Sequence, residues 1–177
     1  MNRNLKLLDR VDKKENIYRI VAILSRRTHD LISGAPAGVE IDIDEPAQIV
    51  MEEFLRKENI FAVVGVSRDK KKYGYKVYKN LKEAGYKVYP INPNASEIEG
   101  EKCYPSLSEL PEKPDVVNLV VQPKITEEIV RECQKLGIKK VWMQPGAESK
   151  EAINFCLQNN IEVVYNVCVM LERKKFR

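Results

Sequence analysis

The sequence has little of the chemistry on which catalysis usually depends. It contains one histidine, His29, and its four cysteines form no Cys-x-x-Cys pair. The scarcity of imidazole argues against most zinc sites, Ser-His-Asp triads and Cys-His pairs, unless His29 itself takes part. Scattered cysteines are typical of reduced thiols, and we expect three of the four to fill the core. The cysteines are Cys103, Cys133, Cys156 and Cys168.

Long apolar runs are also missing. The longest, IVAIL at 20–24 and VVNLVV at 116–121, are far too short to cross a bilayer. The N-terminus MNRNLKLLDRVDKKEN lacks the apolar stretch of a signal peptide. A length of 177 residues suits one domain, or one domain with an appendage. We therefore expect a cytoplasmic protein.

From residue 60 onward, predicted strands and helices alternate. Helices of ten or more residues between buried apolar strands indicate right-handed βαβ units and a parallel sheet. The predicted class is therefore α/β, a Rossmann-like doubly wound parallel sheet. The predicted strands are 60–66, 86–92, 102–104, 115–121, 139–144 and 161–166, and the predicted helices between them are 74–84, 125–136 and 149–160.

Several residues predict where the helices begin and end. Gly85 and Gly137 follow helical patterns, as C′ glycines do. Ser149 has the side chain of an N-cap, and Ser106-Leu-Ser-Glu matches a capping box. Pro46 opens a further helix, because proline is accepted in the first turn.

Residues 1–45 differ from the rest of the chain. NIYRIVAILSRRTHDLI at 16–32 has the apolar spacing of one amphipathic helix, and SGAPAGVEIDIDEP then breaks it. We therefore predict a helical N-terminal extension, 1–45, followed by the Rossmann-like domain, 46–177.

Positive charge is concentrated in one segment between Ser67 and Lys87. This segment contains eight basic residues and only two acidic ones, Asp69 and Glu83. Its excess of positive charge is larger than the net charge of +4 for the whole chain. A focused patch suits a small polyanion better than a nucleic acid, which usually meets more widely spread basic residues. The basic residues are Arg68, Lys70, Lys71, Lys72, Lys76, Lys79, Lys82 and Lys87.

The loop after the first strand, VSRDKKKYG, carries no known nucleotide motif. Gly65 stands alone where G-x-G-x-x-G would be expected, and no G-x-x-x-x-G-K-[ST] follows it. The second strand ends in Asn92-Pro93 rather than in an acid, which argues against a nicotinamide cofactor. A lysine-bearing loop before a helix suits phosphates, since free helix amides attract anions. The alternative is a solvated lysine run.

Four blocks together resemble the small stand-alone CoA-binding protein family. They are VVGVSRDKKKYGYKVYKNLKEAGYKVYPINPN, EIEGEKCYPSLSELP, DVVNLVVQPK and VWMQPGAES, within about residues 48–172. The fold of that family is similar to the CoA-binding N-terminal domain of the succinyl-CoA synthetase α subunit. The resemblance implies that coenzyme A lies along the carboxyl edge of the sheet.

The resemblance also implies particular site residues. Those implied for the phosphates and pantetheine are Gly65, Val66, Ser67, Lys71, Lys72, Tyr73 and Gly74. Those implied for the nucleotide side are Asn92 and Pro93; for the adenine or the pantetheine arm, Val121, Gln122 and Pro123; and for the far wall, Gln144, Pro145 and Gly146. Cys168 falls where the family commonly has a cysteine, which would allow a disulfide with the CoA thiol, although packing is the alternative reading.

The same resemblance restricts the expected activity. Succinyl-CoA synthetase uses a phosphohistidine on a further domain and a grasping partner subunit, and no histidine follows residue 29 in this chain. We therefore expect non-catalytic binding of CoA or acyl-CoA and no catalytic residues or metal. The alternative is the CoA-binding subunit of an acyl-CoA synthetase whose catalytic chain is separate.

The N-terminal segment resembles the omega subunit of bacterial RNA polymerase over about residues 5–60. The similar stretches are LLDRVDKKENIYRIVAILSRRTHDLISG and DEPAQIVMEEFLRKENI. The alanine-rich stretch typical of omega is replaced here by ILSRRTHD. The resemblance implies a polymerase contact through residues 1–45. The alternative is a helical cap that packs on the sheet or forms a homodimer.

Overall fold

The structure, a computed structural model, describes residues 46–176. The predicted extension, with its polymerase and dimer contacts, lies outside these residues and stays a prediction, as does the domain boundary after residue 45. The helices are α1 (Pro46–Phe54), α2 (Tyr73–Glu83), α3 (Pro123–Lys135), α4 (Lys150–Gln158) and α5 (Val169–Glu172), with 3-10 turns at Leu107–Glu109 and Arg173–Phe176. The strands are β1 (Ile60–Val64), β2 (Lys87–Ile91), β3 (Glu97–Ile98), β4 (Glu101–Lys102), β5 (Val116–Leu119), β6 (Lys140–Met143) and β7 (Glu162–Tyr165).

Five strands form one parallel sheet in the order β2-β1-β5-β6-β7. After β1 the chain first adds β2 on one side and later returns to add β5 on the other. Such a reversal leaves a crevice beyond the carboxyl ends of β1 and β5, and ligands of open α/β sheets bind in such a crevice. The predicted Rossmann-like α/β class is confirmed.

The two faces of the sheet are covered by different helices. Phe61 and Val63 face a cluster built with α1, α2 and α5, whereas Ala62 and Val64 face a cluster built with α3 and α4. This alternation follows from the two-residue period of a strand. Because both faces are covered, the strands of this sheet are mostly apolar, as in parallel sheets generally.

Trp142 of β6 anchors the first of these clusters. Its side chain is fully buried and meets the ring of Phe54 edge-on at 6.0 Å between centroids. Its indole Nε1 donates to the carbonyl of Val167 at 2.8 Å, so the segment leading into α5 is fixed to the sheet. Of the described helices, none is long and apolar enough to cross a bilayer.

Several helix ends agree with the sequence, and one does not. Gly85 and Gly137 have φ angles of 86° and 67°, and Ser149 Oγ accepts from the amide of Ala152 at 3.0 Å. The capping box predicted at Ser106 is wrong. Its Oγ lies 2.9 Å from the hydroxyl of Ser108 and caps no amide, because the segment makes only a short 3-10 turn.

The short strand predicted at 102–104 is part of a hairpin, β3–β4, which is fastened to α2. Glu99, in its turn, accepts a hydrogen bond from the hydroxyl of Tyr75. Lys79 Nζ lies 3.1 Å from the other carboxylate oxygen, and Lys70 Nζ approaches from the first loop at 3.4 Å. The hydrogen bond from Tyr75 has the largest effect and that from Lys79 the next largest, and they lower the pKa of the Glu99 carboxyl to about 2.

Replacing Glu99 by glutamine should weaken the pH dependence of stability. A lowered folded-state pKa stabilises the fold above the ordinary value of 4.5, and this contribution is lost as the pH falls towards about 2. Thermal melts between pH 5 and pH 2.5 should therefore show a smaller drop in Tm for Glu99→Gln than for the unmodified chain. The matched control is Glu128→Gln, an exposed position of α3. Equal slopes for all three proteins would contradict the role of Glu99.

Candidate functional site

The crevice between β1 and β5 is built on two close backbone approaches. Gly65 has a φ of 93°, and a Cβ there would lie closer than 3.0 Å to the carbonyl oxygen of Val120 and to Cγ1 of Val121. A Cβ at Gly74 would lie closer than 3.0 Å to the carbonyl oxygen of Gly65. Two glycines therefore let the first turn of α2 sit directly on the end of β1, although no glycine-rich motif is present.

The lysine-bearing loop folds around Asp69. The amide of Asp69 donates to Ser67 Oγ at 3.1 Å, its carboxylate accepts from the amide of Lys71 at 2.9 Å, and its carbonyl accepts from the amide of Lys72 at 3.0 Å. These bonds bring the chain into α2 with the lysine side chains exposed. Asp69 therefore shapes the loop, and its carboxylate is already engaged there.

The start of α2 is open to an anion. Lys72 at the N-cap makes no side-chain hydrogen bond to the helix, and the first turn contains no acidic residue. Amides of a first turn have no partner within the helix and carry the positive end of its dipole. These amides and the neighbouring lysines can share a phosphate.

The basic patch is narrower than the sequence indicates, because half of its eight residues are paired with carboxylates. Lys70 and Lys79 meet Glu99, Lys82 meets Glu101, and Lys87 meets Glu112. Within the described part of the chain, the patch residues without an ion pair are Arg68, Lys71, Lys72 and Lys76.

Asn92 joins the ends of β1 and β2. Its Nδ2 donates to the carbonyl of Val66 at 2.7 Å, and its Oδ1 accepts from the amide of Asn94 at 2.8 Å. The side chain therefore holds the two loops together. Pro93, next to it, is exposed.

A groove of about 400 Å³ lies beyond the ends of β5 and β6. Its walls are mostly apolar, and its polar side chains are two glutamine amides and the Tyr73 hydroxyl. The residues that line it are Tyr73, Val120, Val121, Gln122, Pro123, Gln144, Pro145, Gly146 and Ala147. Such a groove can hold a thin, largely apolar arm with an occasional amide.

Gln144 connects the groove to the carboxyl-terminal helix. Its Nε2 donates to Oδ1 of Asn118 at 3.3 Å, and its Oε1 accepts from the amide of Val169 at 3.4 Å. Only 1% of Gln144 is exposed, so its orientation is set by these two neighbours. The wall of the groove is therefore preformed at this residue.

Tyr73 forms the opposite wall and contacts Cys168. Its hydroxyl lies 2.8 Å from Cys168 Sγ. Burial and this contact raise the pKa of Tyr73, so the phenol stays neutral at physiological pH. Cys168 is half-buried, whereas the other three cysteines are buried as predicted. The disulfide between Cys168 and a CoA thiol stays a prediction.

The predicted site residues fall into two neighbouring groups, one at the groove and one at the crevice. Two groove residues, Val120 and Ala147, were missed, although each adjoins a predicted position. The predicted groove residues are Tyr73, Val121, Gln122, Pro123, Gln144, Pro145 and Gly146. Those around the ends of β1 and β2 and the start of α2 are Gly65, Val66, Ser67, Lys71, Lys72, Gly74, Asn92 and Pro93.

These groups supply amides, cations and apolar walls. Among residues 46–176, no cluster of three or more His, Cys, Asp or Glu could hold a metal ion. The groove itself presents glutamine amides, a neutral phenol and prolines. Such groups bind and orient a ligand.

Comparison with known proteins gives the family. The profile of the CoA binding domain matches residues 59–174. The α subunit of ADP-forming acetate–CoA ligase II from Pyrococcus furiosus is 46% identical over 81 residues, which are 45% of this chain and 18% of that protein. YneT of Bacillus subtilis is 26% identical, over 72% of this chain and 94% of its own length.

A solved structure supports the same assignment. A conserved hypothetical protein from Pyrococcus furiosus is 43% identical, with a TM-score of 0.62, over 64% of this chain and 98% of its own. The region shared with the ligase subunit is thus a small part of that enzyme, whereas the other two proteins are matched almost completely. The chain belongs to the CoA binding domain family.

Proposed function

We propose that the protein binds coenzyme A or an acyl-CoA without catalysing a reaction, along the carboxyl edge of its sheet. The phosphates lie against the start of α2, and the pantetheine arm follows the groove between β5 and β6. The observation that carries the proposal is that these two regions adjoin. Lys71 and Lys72, which have no ion pair within residues 46–176, lie at an uncapped helix end, and Tyr73 next to them lies in the wall of a groove of about 400 Å³.

The chemistry of the ligand fits this arrangement at both ends. A pyrophosphate needs cations and free amides, which the loop and α2 provide. Pantetheine is a narrow chain with two amide groups, and exposed Gln122 offers an amide beside apolar Val121 and Pro145. Tyr73 belongs both to the first turn of α2 and to the wall of the groove, so the two regions adjoin.

The absence of catalysis is inferred from the groups at the groove. Its lining contains no carboxylate, imidazole or amine. The nearest thiol, Cys168, contacts the neutral Tyr73 hydroxyl. Proton transfer in a thioester reaction needs an acid or base within hydrogen-bond reach, and among the described residues this lining supplies only the Tyr73 hydroxyl, which already contacts Cys168.

A thermal-shift titration tests the proposal. CoA should raise Tm, whereas NAD at the same concentration should raise it little, because Asn92 gives the ribose diol no carboxylate. Ligand at a hundredfold excess over Kd stabilises by about 2.7 kcal/mol, which is readily measured. Equal shifts with CoA and NAD, or no shift with either, would contradict CoA binding.

The alternative role, as the CoA-binding subunit of an acyl-CoA synthetase, is favoured by the identity with the ligase α subunit. In that case a separate chain supplies the grasping and catalytic groups. A gene for such a chain next to this one, and ligase activity only when both proteins are mixed, would support this role. If the mixture shows no ligase activity, the result would favour CoA binding without catalysis.

A further inference from the structure

Arg68 is a free cation that no part of the proposed CoA site uses. It follows Ser67 in the first loop and is exposed. Within residues 46–176, its guanidinium makes no hydrogen bond or ion pair with the protein. The adjacent carboxylate of Asp69 is instead turned to the amide of Lys71. Within the described part of the chain, the guanidinium at the beginning of the loop is therefore unpaired.

The backbone places this guanidinium near the end of β2. Val66, two residues earlier, is held by the side chain of Asn92, the first residue after β2. The Nζ of Lys70, two residues after Arg68, lies 3.4 Å from Glu99 in the β3–β4 hairpin, which follows β2. Arg68 therefore belongs to the β2 side of the crevice, whereas Lys71 and Lys72 lead into α2.

In nucleotide-binding sheets of this kind, residues at the end of the second strand contact the ribose of the ligand. An acid there holds free ribose hydroxyls, while a nearby arginine accommodates a phosphate on the ribose. In this chain the position is Asn92, and both ends of its amide are engaged by the backbone. The residue after β2 therefore supplies no carboxylate for a free diol, and Arg68 lies in the loop that Asn92 holds against it.

We propose that Arg68 determines specificity by binding a phosphate on the ribose of the ligand, separately from the pyrophosphate at Lys71 and Lys72. For CoA this group is the 3′-phosphate, and the inference rests on the proposed function. A guanidinium suits the role because it presents a planar fork of donors that matches two phosphate oxygens. Lys71 and Lys72 thereby bind the pyrophosphate, and Arg68 binds the 3′-phosphate.

Calorimetric titration of CoA and dephospho-CoA, which lacks the 3′-phosphate, isolates this contact. The unmodified chain should bind CoA about tenfold more tightly than dephospho-CoA, as for one charge-assisted contact at an exposed site. Arg68→Gln should lower the affinity for CoA about tenfold, leave that for dephospho-CoA unchanged and so remove the preference. The control, Arg131→Gln, changes the same charge on α3, where Arg131 stacks on Phe155.

The outcomes separate the two proposals. Equal affinities of the unmodified chain for CoA and dephospho-CoA would overturn the role of Arg68 and leave CoA binding intact. A loss of affinity for both ligands in Arg68→Gln would also overturn it, because Arg68 would then act through general attraction. If neither ligand binds the unmodified chain, the proposed function itself fails. Equal Tm values of Arg68→Gln and the unmodified chain without ligand confirm that the loop is otherwise intact.

Discussion

Replacing Gly65 by alanine should lower the free energy of unfolding by about 3–5 kcal/mol. A positive φ costs a non-glycine residue about 1–3 kcal/mol, and overpacking at a tight contact costs about as much again. Here the new methyl group would lie closer than 3.0 Å to the Val120 carbonyl oxygen, a backbone atom that cannot turn aside. For a domain of this size, such a loss should lower Tm by about 6–20 °C.

Gly85→Ala is the matched control. Gly85 has a φ of 86°, close to the 93° of Gly65, but a Cβ there would have no atom within 4 Å. Replacing Gly85 by alanine should therefore lower the free energy of unfolding only by the cost of the positive φ, about 1–2 kcal/mol. Chemical denaturation of both variants measures the difference. Equal losses would show that the close approach to β5 contributes nothing.

Replacing both Lys71 and Lys72 by glutamine should weaken CoA binding about thirtyfold. Each lysine is exposed and unpaired in the described chain, so each is available to a phosphate. Two screened charge-assisted contacts at about 1 kcal/mol each give a factor of this size. The affinity of the double variant, measured by calorimetry, should also depend less on salt, because fewer charges attract the ligand.

The control is Lys79→Gln with Lys82→Gln, which removes the same charge from α2, the helix that follows Lys72. These lysines are held by Glu99 and Glu101, so they are not available to a phosphate. CoA affinity should change less than threefold. An equal loss in both double variants would mean that only the overall charge of the patch matters, and the placement of phosphate at the start of α2 would be wrong.

The sheet was predictable because its strands are continuous apolar runs, such as VVNLVV, between helices with clear periodicity. The strands themselves are shorter than predicted. The apolar run that begins at Ile60 leaves the sheet at Gly65, where φ becomes positive, although Val66 after it is also apolar and buried. Apolar character therefore located the strands, but backbone geometry set their ends.

The hairpin and the ion pairs were not predictable in the same way. Strands of two residues carry too little periodicity to be recognised, and the contact of Glu99 with Tyr75 joins residues 24 apart in sequence. The basic patch was visible as a run of lysines, but its pairing with carboxylates depends on the tertiary fold. The hydrogen bond of the Asn92 amide to Val66 likewise joins distant residues, and the ligand contact expected of Asn92 stays a prediction.

The groove is completed by contacts between distant parts of the chain. Tyr73 and Cys168 are 95 residues apart, and Arg173 reaches Asn80 across 93 residues. The wall therefore exists only once the segment 168–173 has packed against α2. During synthesis, the loop bearing the lysines therefore leaves the ribosome well before α5 can close the groove beside it.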